Sequence, residues 1–275
     1  MKYPAPYSQV AHVAKDRIGQ SVRAVDWKPA KCFFDADLPI VEWMLAPFTE
    51  ADRGLFTGTS PAGRAAGAPD HRTLDTGILE LADDIAYGVH DLEDAIALDL
   101  ITHDHVDDIW SRHRAAVAGL DGAPSDRDIA DLFRDDSARK RAIGLLVNFF
   151  IVHIRLVRDD LPASPLLAWS AVLATEVADF LRALTELIRR QVINQPVVQM
   201  LEYRGQEIVR RLFETIGGDP ERFLPQAWLD RWRTADANGA SRTICDYIAT
   251  MTDEQATRNY ELLFSSRGSP TFGIL

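Results

Sequence analysis

The stretch between residues 78 and 96 most strongly constrains what this chain can fold into. Its sequence, ILELADDIAYGVHDLEDAI, repeats an apolar residue at steps of three and four. The members of this repeat are Ile78, Leu81, Ile85, Val89, Leu92 and Ile96. Such spacing predicts an amphipathic helix that buries one stripe of its surface.

A second face of the same predicted helix carries groups able to do chemistry. Asp83, Tyr87 and Asp91 follow one another at four-residue steps, so they are expected on one side of the helix. A carboxylate can ligate a metal ion, and a phenol with a second carboxylate can hold a hydroxyl-bearing substrate. Acidic residues on the solvated side of an ordinary surface helix have the same spacing. Asp84 competes for the ligand role but points about 100° away from that face.

Composition excludes some classes of function. The net charge of −11 over 275 residues argues against nucleic-acid binding through bulk positive charge. The longest apolar run, residues 142–154, is too short to span a bilayer. Cys32 and Cys245 have no metal-type spacing, which favours a reducing, cytoplasmic compartment.

The periodicity along the chain is helical throughout, and no segment has a convincing strand pattern. We therefore expect an all-α fold, organised as one helical domain over residues 1–275. Residues 54–70 are rich in Gly, Ala and Pro and are expected to form a long loop. The apolar segment 138–157 predicts the most buried helix, capped by Ser137, and residues 171–193 predict one long amphipathic helix. Further helices are expected at 38–48, 197–216 and 223–232.

Four sequence strings together resemble one known family. They are KYPAPYS from Lys2, the KCFF patch from Lys31, ADDIAYGVHDLEDA from Ala82, and RTICDYIATMTD from Arg242. In this order they resemble motifs of the dGTP triphosphohydrolases, the deoxynucleotide-cleaving branch of the HD superfamily. Cys32 and Phe33 depart from the K-x-G-F-F pattern of the family, and Thr250 stands where the family usually has Gly.

The resemblance implies a multi-helix HD-superfamily fold and a specific reaction. Water would attack the α-phosphorus of a deoxynucleoside triphosphate, with dGTP the favoured substrate, releasing deoxynucleoside and tripolyphosphate. Two His and two Asp of the family hold a divalent ion such as Mn²⁺ or Mg²⁺, and Asp83 matches the last of these ligands. Tyr87 and Asp91 match the pair that binds the sugar 3′-hydroxyl, while Arg141 and Lys31 are the expected phosphate contacts. The family also implies a homo-oligomer.

The metal-binding motifs of the family are incomplete in this sequence. The family's first His and its His-Asp pair precede the KYP segment, and this sequence begins at that segment, so Asp83 is the one ligand we identify. His103-Asp104 follows the lone Asp instead of preceding it, and we reject it as the catalytic pair. Two hypotheses remain: an incomplete portion of the enzyme, and a non-catalytic helical module that binds a nucleotide or a partner.

Overall fold

A computed structural model describes residues 1–10, 31–58 and 71–265. The chain divides into two compact units, Met1–Gln195 and Pro196–Leu275, and each is described by itself. The expectation of a single domain over residues 1–275 stays a prediction.

Helices dominate the first unit. They are α1 (Tyr7–Val10), α2 (Leu38–Leu45), α3 (Glu50–Thr57), α4 (Leu74–Ala97), α5 (His103–Val117), α6 (Asp126–Asp131), α7 (Asp136–Val152), α8 (Pro165–Ala168) and α9 (Thr175–Ile188). A 3-10 turn (Asp35–Asp37) precedes α2, and a π-helical turn (Arg189–Ile193) follows α9. Strands β1 (Ile154–Arg158) and β2 (Trp169–Leu173) form one antiparallel pair. The predicted all-α class is confirmed, with this hairpin as a small addition.

The core of the first unit lies where α4, α5, α7 and α9 meet. Fully buried aromatic rings fill it: Phe150 and Trp110 each lie 5.8 Å from the ring of Phe180. Aliphatic residues of all four helices surround these rings. This packing fixes α4 along one side, so its polar face is held in a defined orientation.

The helix that the sequence predicted between residues 78 and 96 is confirmed as α4. Thr73 caps this helix: its side chain accepts a hydrogen bond from the backbone N–H of Thr76 at 3.3 Å, which satisfies a donor that the first turn leaves free. The apolar stripe is buried from Ile85 to Ile96, but Ile78 is 49% exposed.

Strands β1 and β2 of the hairpin each occupy residues that were predicted to be helical. The helix expected over 138–157 ends at Val152, where the ring of His153 bonds through Nδ1 to the carbonyl of Phe149 at 2.8 Å. That carbonyl is the acceptor the next helical N–H would need, and the following β-branched residues pair with β2 instead. The helix expected over 171–193 accordingly begins later, at Thr175. Asp135, and not Ser137, caps α7.

The loop expected at residues 54–70 is wrong in its first part. Gly54 to Thr57 form the last turn of α3, because Thr49 caps that helix by accepting from the N–H of Asp52 at 3.1 Å. Residues 59–70 lie outside the described residues.

The second unit is helical in its described part. Its helices are α10 (Pro196–Gly218), α11 (Pro220–Phe223), α12 (Gln226–Thr234), α13 (Ala237–Ala249) and α14 (Asp253–Phe264). They enclose a separate core containing Leu212, Ile216 and Ile244. Thr252 caps α14. The DYIATMTD string therefore forms the end of α13 and the start of α14. None of the described helices is long and apolar enough to cross a membrane.

Candidate functional site

The sequence-predicted residues of α4 lie beside its buried stripe. Asp83 is exposed, whereas Tyr87 and Asp91 are half-buried, and Tyr87 packs against the apolar core. Since a four-residue step turns an α-helix by only about 40°, the three side chains stay on one side of α4. Their assigned roles, metal ligand and sugar contacts, stay predictions.

Burial and neighbouring charges set the protonation of this face. Burial raises the pKa of Asp91, the carboxylates of Asp94 and Asp83 raise it further, and His90 opposes them. Burial also raises the pKa of Tyr87, and Asp91 adds to the increase. The Tyr87 phenol therefore keeps its proton at neutral pH and can donate a hydrogen bond, while the adjacent carboxylate can accept one.

Asp84, the competitor for the ligand role, lines a cavity of about 420 Å³ between α4, β2 and α9. The other lining residues include Leu81, Leu181, Arg182 and Thr185. Burial raises the pKa of Asp84, as do Asp83 and Glu80, whereas Lys2 and Arg72 lower it. The cavity therefore adjoins both the acidic face of α4 and a group of cations.

These cations gather at the N-terminal half of α4. The Lys2 ammonium lies 3.4 Å from a carboxylate oxygen of Glu80, and Arg72 pairs with the same carboxylate. Lys2 and Lys31 also approach the ring of Tyr3, at 5.6 and 5.3 Å from its centroid. Lys31 was a predicted phosphate contact. Lys2 and Arg72 were not predicted as phosphate contacts, although Lys2 belongs to the KYP string.

Backbone pairing brings the start of the chain to Lys31. The N–H of Tyr7 donates to the carbonyl of Phe33 at 2.8 Å, and the N–H of Phe33 donates to the carbonyl of Ala5 at 3.0 Å. This short parallel bridge explains how residues nearly thirty positions apart share one aromatic ring. Sequence periodicity gives no signal for such a contact.

Arg141, the other predicted phosphate contact, lies on α7. Its side chain is exposed. Neighbouring Arg139 pairs with Asp136 at 3.0 Å. None of the ion pairs found in the described part of the chain joins Arg141 to the acidic face of α4. Its role stays a prediction.

The described residues do not by themselves form a metal site. Within residues 1–10, 31–58 and 71–265, no group of three or more His, Cys, Asp or Glu side chains could hold an ion. His103 stacks against Phe133 with ring centroids 5.4 Å apart. His105 accepts through Nδ1 from the N–H of Thr102 at 3.2 Å and so caps α5. The donor set therefore does not fit a complete divalent-ion site.

Glu186 of α9 and Arg189 of the π-helical turn form a wall of the site beside Tyr87, and neither residue was predicted from the sequence. Glu186 and Arg189 form a bidentate pair with contacts of 2.8 and 2.6 Å. Both groups act on Tyr87: Arg189 lowers its pKa and Glu186 raises it. The three-residue spacing of a Glu and an Arg on a helix predicts the pair, but only the packing of α9 on α4 places it at Tyr87.

A family model described as the phosphohydrolase-associated domain matches residues 171–262. Those residues run from β2 to α14 and include Glu186 and Arg189.

Curated relatives match the chain over nearly its whole length. Deoxyguanosinetriphosphate triphosphohydrolase-like proteins of Shewanella baltica (strain OS185) and Shewanella sp. (strain MR-4) are each 40% identical over 97% of this chain. The corresponding protein of Shewanella oneidensis is 39% identical over 97% of the chain. The chain spans 62% of the length of the first two and 63% of the third. The resemblance expected from the four strings is confirmed: over nearly its whole length, the chain is similar to deoxyguanosinetriphosphate triphosphohydrolase-like proteins.

Proposed function

We propose that this chain binds the sugar and triphosphate of a deoxynucleoside triphosphate as part of a dGTP triphosphohydrolase. The observation that carries the proposal is the order of groups along α4. Lys2 and Arg72 surround Glu80 at one end, Asp83 follows, and Tyr87 and Asp91 come one and two turns later. Cations suit a triphosphate, and a phenol beside a carboxylate suits a sugar hydroxyl.

In this arrangement Tyr87 and Asp91 bind the 3′-hydroxyl together. The phenol donates to the hydroxyl oxygen and the carboxylate accepts the hydroxyl proton, so a substrate without this hydroxyl leaves both groups unpaired. Half-burial strengthens the discrimination, because an unpaired polar group costs more away from water. Lys31 and Lys2 hold the phosphates, and Arg141 is a further phosphate contact in the proposal.

The divalent ion expected for the reaction, Mn²⁺ or Mg²⁺, would require more ligands than the described residues supply. A hard cation takes several oxygen or nitrogen donors, and Asp83 provides one. The substrate preference for dGTP is suggested by the names of the relatives. The cytoplasmic location and the homo-oligomer belong to the same proposal.

A second candidate function is a nucleotide-binding module without catalysis. The lack of a three-ligand group in the described residues favours it. The two functions share the sugar-binding face and differ in whether a phosphorus–oxygen bond is broken.

The test measures tripolyphosphate release from each of the four deoxynucleoside triphosphates by the 275-residue chain with Mn²⁺ or Mg²⁺. Equilibrium binding of dGTP and GTP is measured in parallel. Release that Asp83→Ala abolishes supports the hydrolase. Binding of dGTP without release supports the module. A chain that neither binds dGTP nor releases tripolyphosphate contradicts both.

A further inference from the structure

The wall opposite Tyr87 has an irregular backbone at the point where it meets the site. The N–H of Asn194 donates to the carbonyl of Arg189 at 2.9 Å, five residues back, which defines the π-helical turn at Arg189–Ile193. Single π turns are rare and occur frequently at functional sites. Here the turn begins at the residue that acts on Tyr87.

Close packing holds this wall near α4. A β-carbon at Gly88 would lie 3.3 Å from Oγ1 of Thr185, so the missing side chain lets the helices approach. Gly88 directly follows Tyr87, and Thr185 directly precedes Glu186. The approach at Gly88 therefore brings together the helix segments that carry Tyr87 and Glu186, and both Glu186 and Arg189 are near enough to shift the pKa of Tyr87.

One edge of the Arg189 guanidinium is bonded to Glu186, and another edge is available to a ligand. Its Nε donates to Oε2 of Glu186 at 2.8 Å and its Nη2 donates to Oε1 at 2.6 Å. A guanidinium has five N–H donors in a planar fork. The side edge is used by Glu186, so the end edge, formed by Nη1 and the second proton of Nη2, remains as a pair of parallel donors. The side chain is 53% exposed, so a ligand can reach that edge.

Position along α4 separates this edge from the phosphate end. Lys2 and Arg72 pair with Glu80, about two helical turns before Tyr87. Arg189 acts on Tyr87, the sugar contact. In the proposed site the phosphates of the nucleotide lie at Lys2 and Lys31, and its 3′-hydroxyl lies at Tyr87. The base is then the part of the nucleotide that remains to contact Arg189.

We propose that Arg189, braced by Glu186, is the residue that selects the base, and that it binds the O6 and N7 acceptors of guanine. Two parallel N–H donors match two adjacent acceptors, which is the commonest specific arginine–base contact. Adenine has an amino group where guanine has O6, so one N–H donor of Arg189 would face the N–H donors of that amino group. This inference rests on the proposed nucleotide site.

The experiment compares equilibrium binding of four nucleotides to the unmodified 275-residue chain and to Arg189→Ala. The nucleotides are dGTP, dITP, which keeps O6 and N7 but lacks the 2-amino group, 7-deaza-dGTP, which lacks N7, and dATP. The unmodified chain is expected to bind dGTP and dITP alike, and to bind 7-deaza-dGTP and dATP roughly 10-fold more weakly, since a bidentate contact discriminates by about 1–3 kcal/mol. Arg189→Ala is expected to bring all four to similar affinity by weakening dGTP and dITP.

Matched variants separate base selection from a general effect. Arg190→Ala removes the neighbouring arginine, which lies 3.9 Å from the same carboxylate, and is expected to keep the preference for dGTP. Arg189→Lys is expected to lose it, because an ammonium lacks the planar fork. Circular dichroism checks that each variant is folded.

Two outcomes overturn the inference while leaving the proposed function standing: 7-deaza-dGTP binding as tightly as dGTP, or an Arg189→Ala variant that keeps the dGTP preference. Absence of any nucleotide binding by the unmodified chain overturns the inference together with the proposed function.

Discussion

Gly88 of α4 lies so close to Leu181 of α9 that a β-carbon at Gly88 would come within 2.5 Å of the Leu181 Cδ1 atom. Leu181 is itself buried, so it has little room to move. The separation of the two helices, and with it the width of the candidate site, depends on a missing methyl group.

Gly88→Ala is therefore expected to destabilise the chain and to weaken dGTP binding. Alanine favours a helix over glycine by about 1 kcal/mol, but forcing a methyl group into a packed interface typically costs about 1–3 kcal/mol. Gly144→Ala is the matched control, because a β-carbon there meets nothing within 4 Å on helix α7. It should gain stability in urea unfolding. A Gly88→Ala variant as stable as Gly144→Ala would contradict the close approach.

Tyr87→Phe is expected to reduce the preference for a sugar with a 3′-hydroxyl. The unmodified chain should bind dGTP more tightly than 2′,3′-dideoxy-GTP by roughly 10-fold, about the effect of one hydrogen bond in a half-buried site. The variant should show a smaller difference between the two, because Asp91 alone then pairs with the hydroxyl. Tyr203→Phe, at an exposed tyrosine of α10, is the control. A Tyr87→Phe variant that discriminates as strongly as the unmodified chain would exclude the phenol from the sugar site.

Sequence periodicity was sufficient to predict α4, because the buried stripe and the N-terminal cap both indicate a helix there. Ile85 to Ile96 bury the stripe and Thr73 closes the first turn, and both signals are local. The hairpin could not be predicted in the same way. The segment from Ile154 has the apolar composition of the helix before it, and only pairing with β2, which begins at Trp169, gives it another conformation.

Asp52→Asn is expected to lower the free energy of unfolding by about 1–3 kcal/mol. The Asp52 side chain is buried, and its two carboxylate oxygens accept from the N–H groups of Ala163 and Ser164 at 2.9 and 3.0 Å. An asparagine keeps one acceptor and turns its amide donors toward the other N–H. Glu50→Gln, an exposed change on the same helix, should stay within about 0.5 kcal/mol.

The local readout is amide hydrogen exchange at Ala163 and Ser164. Asp52→Asn should speed exchange at one or both amides, since one N–H loses its acceptor. Unchanged protection at both positions would show that Asp52 is not what holds this turn against α3.

Glu207→Gln is expected to lower stability at neutral pH and to lose this effect in acid. Arg210 and Arg211 donate to the Glu207 carboxylate and hold its pKa at about 2, compared with 4.5 for an unperturbed glutamate. The stabilisation is therefore fully present above pH 4.5 and is lost as the pH falls toward 2. A loss on the order of 1 kcal/mol is expected at pH 7, because solvent weakens such pairs.

The measurement is urea unfolding followed by tryptophan fluorescence at several pH values between 3 and 7. The curves of Glu207→Gln and the unmodified chain should converge as the pH falls. Glu202→Gln, on the same helix but bonded to Gln199 and Gln206, should show no such convergence. A gap between the unmodified chain and Glu207→Gln that stays constant with pH would exclude the ionised carboxylate as its cause.

The residues of the candidate site that lie on α4 could be predicted from the sequence. Asp83, Tyr87 and Asp91 lie on one helix, so their spacing alone puts them on one side. Lys2 and Arg189 come from other segments, Lys2 well before the start of α4 and Arg189 well after its end. Arg189 has a Glu three residues earlier, and Lys2 belongs to the KYP string. Neither local pattern indicates which residues of α4 the side chain approaches.

The π-helical turn makes the base-facing wall sensitive to chain length. A π turn holds one more residue than an α turn, so deleting one residue between Arg189 and Ile193 would let α9 continue regularly. The residues after the turn would keep nearly their present orientation, because four α-helical residues turn the chain about as far as the five residues of a π turn, and only the side chains within the turn would be redirected. A relative could therefore change which side chains the turn presents by losing a single codon, with the buried residues of α9 before it unaltered.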